Sequence, residues 1–93
     1  MPRTATSDIA ARTVGMELRR ARADAGLTQQ QVGARLGTSG SYIANVEAGR
    51  ENLTLGQMAN LAMAVGASLE ISFPVVEREP VRVPEAATAA ELA

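Results

Sequence analysis

Apolar residues recur at intervals of three and four through the first two-thirds of the chain, and glycines cut that helical period into four pieces. From Ser7, which can act as an N-cap, Val14, Leu18, Ala21 and Ala25 run four, three and four apart along one face of a first predicted helix, ended by Gly26. Thr28 followed by Gln31 forms a capping box that opens a second helix, with Val32 and Leu36 sharing a face. Gly37 stands where the chain turns most readily through the left-handed region. Ser39 can cap a third helix that turns Ile43 and Val46 inward, stops at Gly49, and leaves Gly40, Ser41, Ala44 and Asn45 outward. A second capping box, Thr54 with Gln57, opens a fourth helix lined by Leu55, Met58, Leu61, Ala62 and Val65 and closed by Gly66.

The period then changes. Residues 68–73, Ser-Leu-Glu-Ile-Ser-Phe, alternate polar and apolar as a half-buried strand does, and Pro74 stops them. One strand cannot satisfy its own backbone donors and acceptors, so it needs a partner. The simplest partner is its own copy, because an antiparallel pair across a two-fold axis closes a dimer and buries Leu69, Ile71 and Phe73. The alternative is a short extended segment packed on its own domain. The expected architecture is therefore all-α, with about four helices plus one C-terminal β-strand that pairs across a dimer. It divides into a flexible arm (1–6), a folded domain (7–73) and an acidic Pro/Ala-rich tail (74–93), the tail being either a solvating extension or a segment that docks on a partner.

Composition narrows the function. The chain of 93 residues is 46% hydrophobic, carried by Ala, Leu and Val with one Phe, one Tyr and no Trp, a thin core for which dimerisation is a natural supplement. Cys and His are both absent, which excludes a disulfide framework and a thiolate site and removes the commonest metal ligand and general base. No enzyme activity, metal or cofactor is expected. With no apolar run of membrane-spanning length and no signal-peptide block at the start, a cytoplasmic location is expected. The net charge of −1 hides an asymmetry: residues 9–65 carry six Arg against four carboxylates, whereas residues 66–93 carry two Arg against five. The helical part is basic and the end acidic.

The stretch Thr28–Arg50 thus reads as two short helices joined by a tight glycine turn, a helix-turn-helix, with Gly33 placed where the second helix must cross closely. Over Leu18–Val65 it resembles the Xre family, the Cro/repressor type of this motif. The likeness lies in Leu27-Thr28-Gln29 leading in, Gly33, Gly37, Ile43 and the Val46-Glu47-Ala48-Gly49-Arg50 exit. The resemblance implies a structural ion pair between Arg22 and Glu47. It also implies double-stranded operator DNA as partner, with the third helix entering the major groove by its N-terminal end and the second lying across the backbone. Thr28 and Gln29 then sit at a phosphate, Gly40, Ser41, Ala44 and Asn45 face base edges, and Ser39 and Tyr42 stand at the flank. Asn45 is the best reader, since its amide pairs bidentately with adenine. Arg50 and Arg35 are candidate phosphate clamps, and Arg3 on the arm is a candidate groove contact.

Within that family, a fourth helix followed by a strand resembles the antitoxins of HipB type, which repress their own operon and hold a toxin. The expected function is a dimeric, sequence-specific transcriptional repressor, as an autoregulating antitoxin bound to a toxin or as a stand-alone regulator. A separate expectation is an adaptor whose tail or dimer face binds another protein.

Overall fold

The computed structural model describes residues 4–75, and the sequence beyond them on either side, including Arg3 and all but the first two residues of the tail, lies outside that range. Four helices follow in order: α1 (Ala5–Asp24), α2 (Gln29–Arg35), α3 (Gly40–Glu47) and α4 (Leu55–Ala64). Each begins at a hydroxyl residue, Thr4, Thr28, Ser39 or Thr54, whose side chain accepts from the amide three residues on. At Thr28 and Thr54 the capping boxes with Gln31 and Gln57 form as their spacing predicts. The first helix departs from its predicted start. Its cap is Thr4, and Ser7 is the return partner in the box, its hydroxyl accepting from the Thr4 amide at 2.9 Å. The helix therefore takes in residues assigned to a flexible arm.

One stop closes all four helices. Gly26, Gly37, Gly49 and Gly66 adopt φ between 68° and 76°, and the following amide reaches back across the last turn: Leu27 to the Arg22 carbonyl, Thr38 to Gly33, Arg50 to Asn45 and Ala67 to Ala62, at 2.8–3.1 Å.

The core is small and centred on the two middle helices. Val32, Ile43 and Val46 are fully buried, with Leu18, Leu61, Ala64 and Val65 closing around them and Ala21, Leu27, Leu36, Tyr42 and Leu53 at the edge. α3 packs on α1 and α2, and α4 covers α1 and α2. Two inner-face assignments fail: Ala25 is the exposed C-cap of α1, and Leu55, in the first turn of α4, is 59% exposed.

Two close crossings fix α3. A Cβ at Gly33 would lie 2.6–2.7 Å from the Ser39 carbonyl group, so the small residue predicted at that crossing is required. A Cβ at Gly15 would lie 2.7 Å from the Glu47 carbonyl oxygen and still nearer that of Val46, so α1 meets the end of α3 backbone to backbone. Gly15 carries no signal in the local pattern that marks it for this role.

Residues 67–75 have no regular secondary structure, and among the described residues there is no strand. The alternating segment 68–73 is exposed throughout, Leu69 at 38%, Ile71 at 54% and Phe73 at 92%. Among the described residues its ladder groups find no partner strand, and no helix is long and apolar enough to cross a membrane.

Candidate nucleic-acid interface

The geometry of the candidate surface starts from Glu47, the last residue of α3. Its carboxylate takes a two-pronged contact from the Arg22 guanidinium of α1, Nε to Oε2 at 2.6 Å and Nη2 to Oε1 at 3.0 Å. Arg22 also donates from Nη1 to the Leu27 carbonyl at 2.9 Å, and Gln29 donates from Nε2 to Glu47 Oε1 at 3.2 Å. The two charged side chains are only 16% and 5% exposed. Burial opposes the charge on Glu47, but the hydrogen bonds from Arg22 and Gln29 and the charges of Arg22 and Arg19 outweigh it and hold the carboxyl below its usual range. The hydrogen bond to Glu47 likewise raises Arg22. One buried carboxylate thus ties the end of α3 to α1 and to the start of α2, and the pair implied by the resemblance is formed.

That junction orients an open cleft of about 380 Å³ between the first turns of α2 and α3, lined by Thr28, Gln29, Gln30, Gly40, Ser41 and Ala44. Five of these six are residues singled out from the sequence. The sixth, Gln30, was missed, and it explains Gly40: a Cβ there would lie 2.8 Å from Gln30 Cγ and 3.2 Å from its Cα. Gly40 lets the two helix starts approach. The Gln29 side chain donates to Glu47, so what α2 offers at its start is the exposed Gln30 side chain and the first-turn amides that lack intrahelical acceptors.

Ser39 spends its hydroxyl on the Tyr42 amide at 3.0 Å, and Tyr42 lies half-buried against the core. Ser41 is exposed, and Ala44 and Asn45 are half-buried. Arg50 lies next to Asn45, donating from Nη1 to Oδ1 at 3.4 Å, and the pair stands apart from the cleft residues. Arg35, exposed at the end of α2, donates from Nη1 to the Ala64 carbonyl at 2.8 Å, capping the C-terminal end of α4. Leu69 is placed elsewhere, beside the groove between α1 and α4 that Val14, Leu18, Leu61 and Val65 line.

A helix-turn-helix domain family profile matches residues 13–70, well over half of the chain. The chain belongs to this helix-turn-helix domain family. Among similar proteins is an uncharacterized HTH-type transcriptional regulator, y4dJ, of Sinorhizobium fredii, 42% identical over 65 residues that span 69% of this chain and 84% of that protein. Among solved structures, the restriction-modification controller protein C.AhdI of Aeromonas hydrophila superposes with a TM-score of 0.60 at 30% identity, covering 66% of this chain and 88% of the other. The matched span contains both halves of the Arg22–Glu47 junction and the whole helix-turn-helix cleft.

Proposed function

We propose that the protein is a homodimeric, sequence-specific DNA-binding transcriptional repressor that reads operator DNA with α3. The observation that carries this reading is the junction at Glu47, which locks α3 against α1 and α2 while Ser41, Ala44 and Asn45 remain on its outer side. Direct readout rests on few side chains. Asn45 supplies the one side-chain amide on the outer face of α3, and Arg50 supplies a backbone clamp beside it. The exposed alternation of Leu69, Ile71 and Phe73 supports pairing of segment 68–73 with its copy across a two-fold axis, which would present two recognition helices to two half-sites. The same segment supports the finer reading of an autoregulating antitoxin, since a two-fold ribbon leaves the remaining surface for a toxin.

The test is footprinting on the DNA upstream of the protein's own gene, with and without the product of the adjacent gene. A protected palindromic site, extended or released by that product, is the expected result. Asn45→Ala should weaken the protected site by about 1–3 kcal/mol with little effect on random DNA, while Arg50→Ala should weaken both. Equal losses on both duplexes from both variants would show that α3 is not the reading element.

A further inference from the structure

The face that α1 turns toward the end of α3 carries more charge than the Glu47 junction uses. Arg12, Gly15, Arg19 and Arg22 follow one another at three, four and three residues, so they lie along one stripe of the helix. Gly15 is the point where α1 touches the Val46 and Glu47 carbonyls, and Arg22 is bound to Glu47. Arg12 and Arg19 stand on either side of that contact. Both are exposed, and neither makes a direct hydrogen bond or close ion pair among the described residues, although the charge of Arg19 is near enough to Glu47 to favour its ionised form. Arg20, by contrast, is held between Glu17 at 2.5 Å and Asp24 at 3.7 Å on another side of the helix.

Arg12 and Arg19 flank the recognition helix. Arg12 lies against the exit of α3, where a Cβ at Gly49 would come within 2.7 Å of its Cγ and 3.0 Å of its Cα. Arg19 lines an open groove together with the paired Arg22 and Glu47 and with Thr28, Gln29 and Ala44, the last three of which also line the cleft between α2 and α3. The groove and the cleft are continuous through those residues. Arg50, on the far side of Gly49 from the helix, completes a line of cations around the C-terminal end of α3.

We infer that Arg12 and Arg19 form, with Arg50, a phosphate-binding shelf along α1 that grips the DNA backbone beside the bases read by α3. The inference rests on the DNA-binding reading proposed above. Exposed and unpaired guanidiniums add little to folding, but each one set against a phosphate releases condensed counterions and steepens the salt dependence of binding. The competing role for the same residues is to complement the negative end of the α3 dipole, which would show in stability rather than in salt dependence.

The two roles separate in full-length Arg12→Gln, Arg19→Gln and Arg20→Gln, which remove one charge each. Binding is measured against salt concentration on a random-sequence duplex and on a duplex from upstream of the protein's own gene, alongside thermal unfolding. Arg12→Gln and Arg19→Gln should each make the slope of log affinity against log salt shallower by about one per protomer on both duplexes, with the melting temperature unchanged for Arg12→Gln and lowered only slightly for Arg19→Gln, whose charge also favours the Glu47 carboxylate. Arg20→Gln should keep the wild-type slope. Slopes that shift equally in all three variants, or a lowered melting temperature with an unchanged slope, would overturn the shelf. If the wild-type chain itself shows no salt-dependent binding to either duplex, the DNA-binding reading falls as well.

Discussion

Gly15→Ala is the sharpest test of how the recognition helix is seated. The added methyl would lie 2.7 Å from the Glu47 carbonyl oxygen and nearer still to that of Val46, against about 3.5 Å for an ordinary contact, so α3 must retreat by about 1 Å. The obstructing atoms are backbone, and no rotamer change relieves them. Overpacking of this kind costs about 1–3 kcal/mol, whereas replacing a mid-helix Gly by Ala returns about 1 kcal/mol of helix propensity; with backbone on both sides of the contact the cost falls at the upper end, leaving a net loss of about 2 kcal/mol. At about 4–8 °C per kcal/mol for a domain of this size, the change is readily seen by circular dichroism on heating. Retreat of α3 also stretches the 2.6 and 3.0 Å contacts between Arg22 and Glu47, so DNA affinity should fall although no outer residue is altered. Gly56→Ala is the control, because there the nearest atom is Thr54 Oγ1 at 3.9 Å and the same chemical change should stabilise the protein. A Gly15→Ala protein as stable as Gly56→Ala would refute the close crossing.

The Glu47 junction predicts a pH effect. Its folded carboxyl binds a proton less readily than the unfolded one, so its contribution is complete above about pH 4.5, the unfolded value, and is lost as pH falls through the lowered folded value. Glu47→Gln should flatten the acid limb of the stability curve, and an unchanged limb would remove Glu47 from the account. At neutral pH, Arg22→Ala should cost about 3 kcal/mol in denaturant unfolding, because Glu47 is left covered and uncompensated. Ile71→Lys should shift the protein toward monomer in sedimentation and weaken operator binding with it, and a dimer that tolerates the lysine would exclude the paired-strand arrangement.

Helix starts and stops were legible because their signals are local. Thr28 with Gln31, Thr54 with Gln57 and the four stopping glycines each act within six residues, and the sequence displays every participant. Thr4 and Ser7 illustrate the limit even there: both hydroxyls suit a cap, and the period alone does not choose between them. What stayed hidden depends on neighbours distant in sequence. Arg35 resembles any surface cation until the Ala64 carbonyl, 29 residues on, is brought beside it. Gly15 resembles an ordinary weak spot in a helix until α3 is laid across it. Gly40 was legible as a residue of the reading face, but the reason for a glycine there, the approach of Gln30, was not. For segment 68–73 the alternation was plain, and its expected partner belongs to another copy of the chain.

The uniform closure of the helices bears on how such a protein changes its target over evolutionary time. α3 is delimited by the Ser39 hydroxyl at one end and the turn at Gly49 at the other, and it is anchored by Ile43, Val46 and Glu47. The side chains of Ser41, Ala44 and Asn45 belong to none of these devices, the part Asn45 plays in the closing turn being that of its backbone carbonyl. Substitutions at those three positions leave the length, seating and anchoring of the helix intact, so selection can rewrite the preferred sequence there without first finding a compensating change in the core. Drift is constrained in the opposite way at Gly15 and Gly33, where any side chain meets backbone and moves a helix. The domain thereby separates the residues that diversify a regulator from those that keep it a regulator at all.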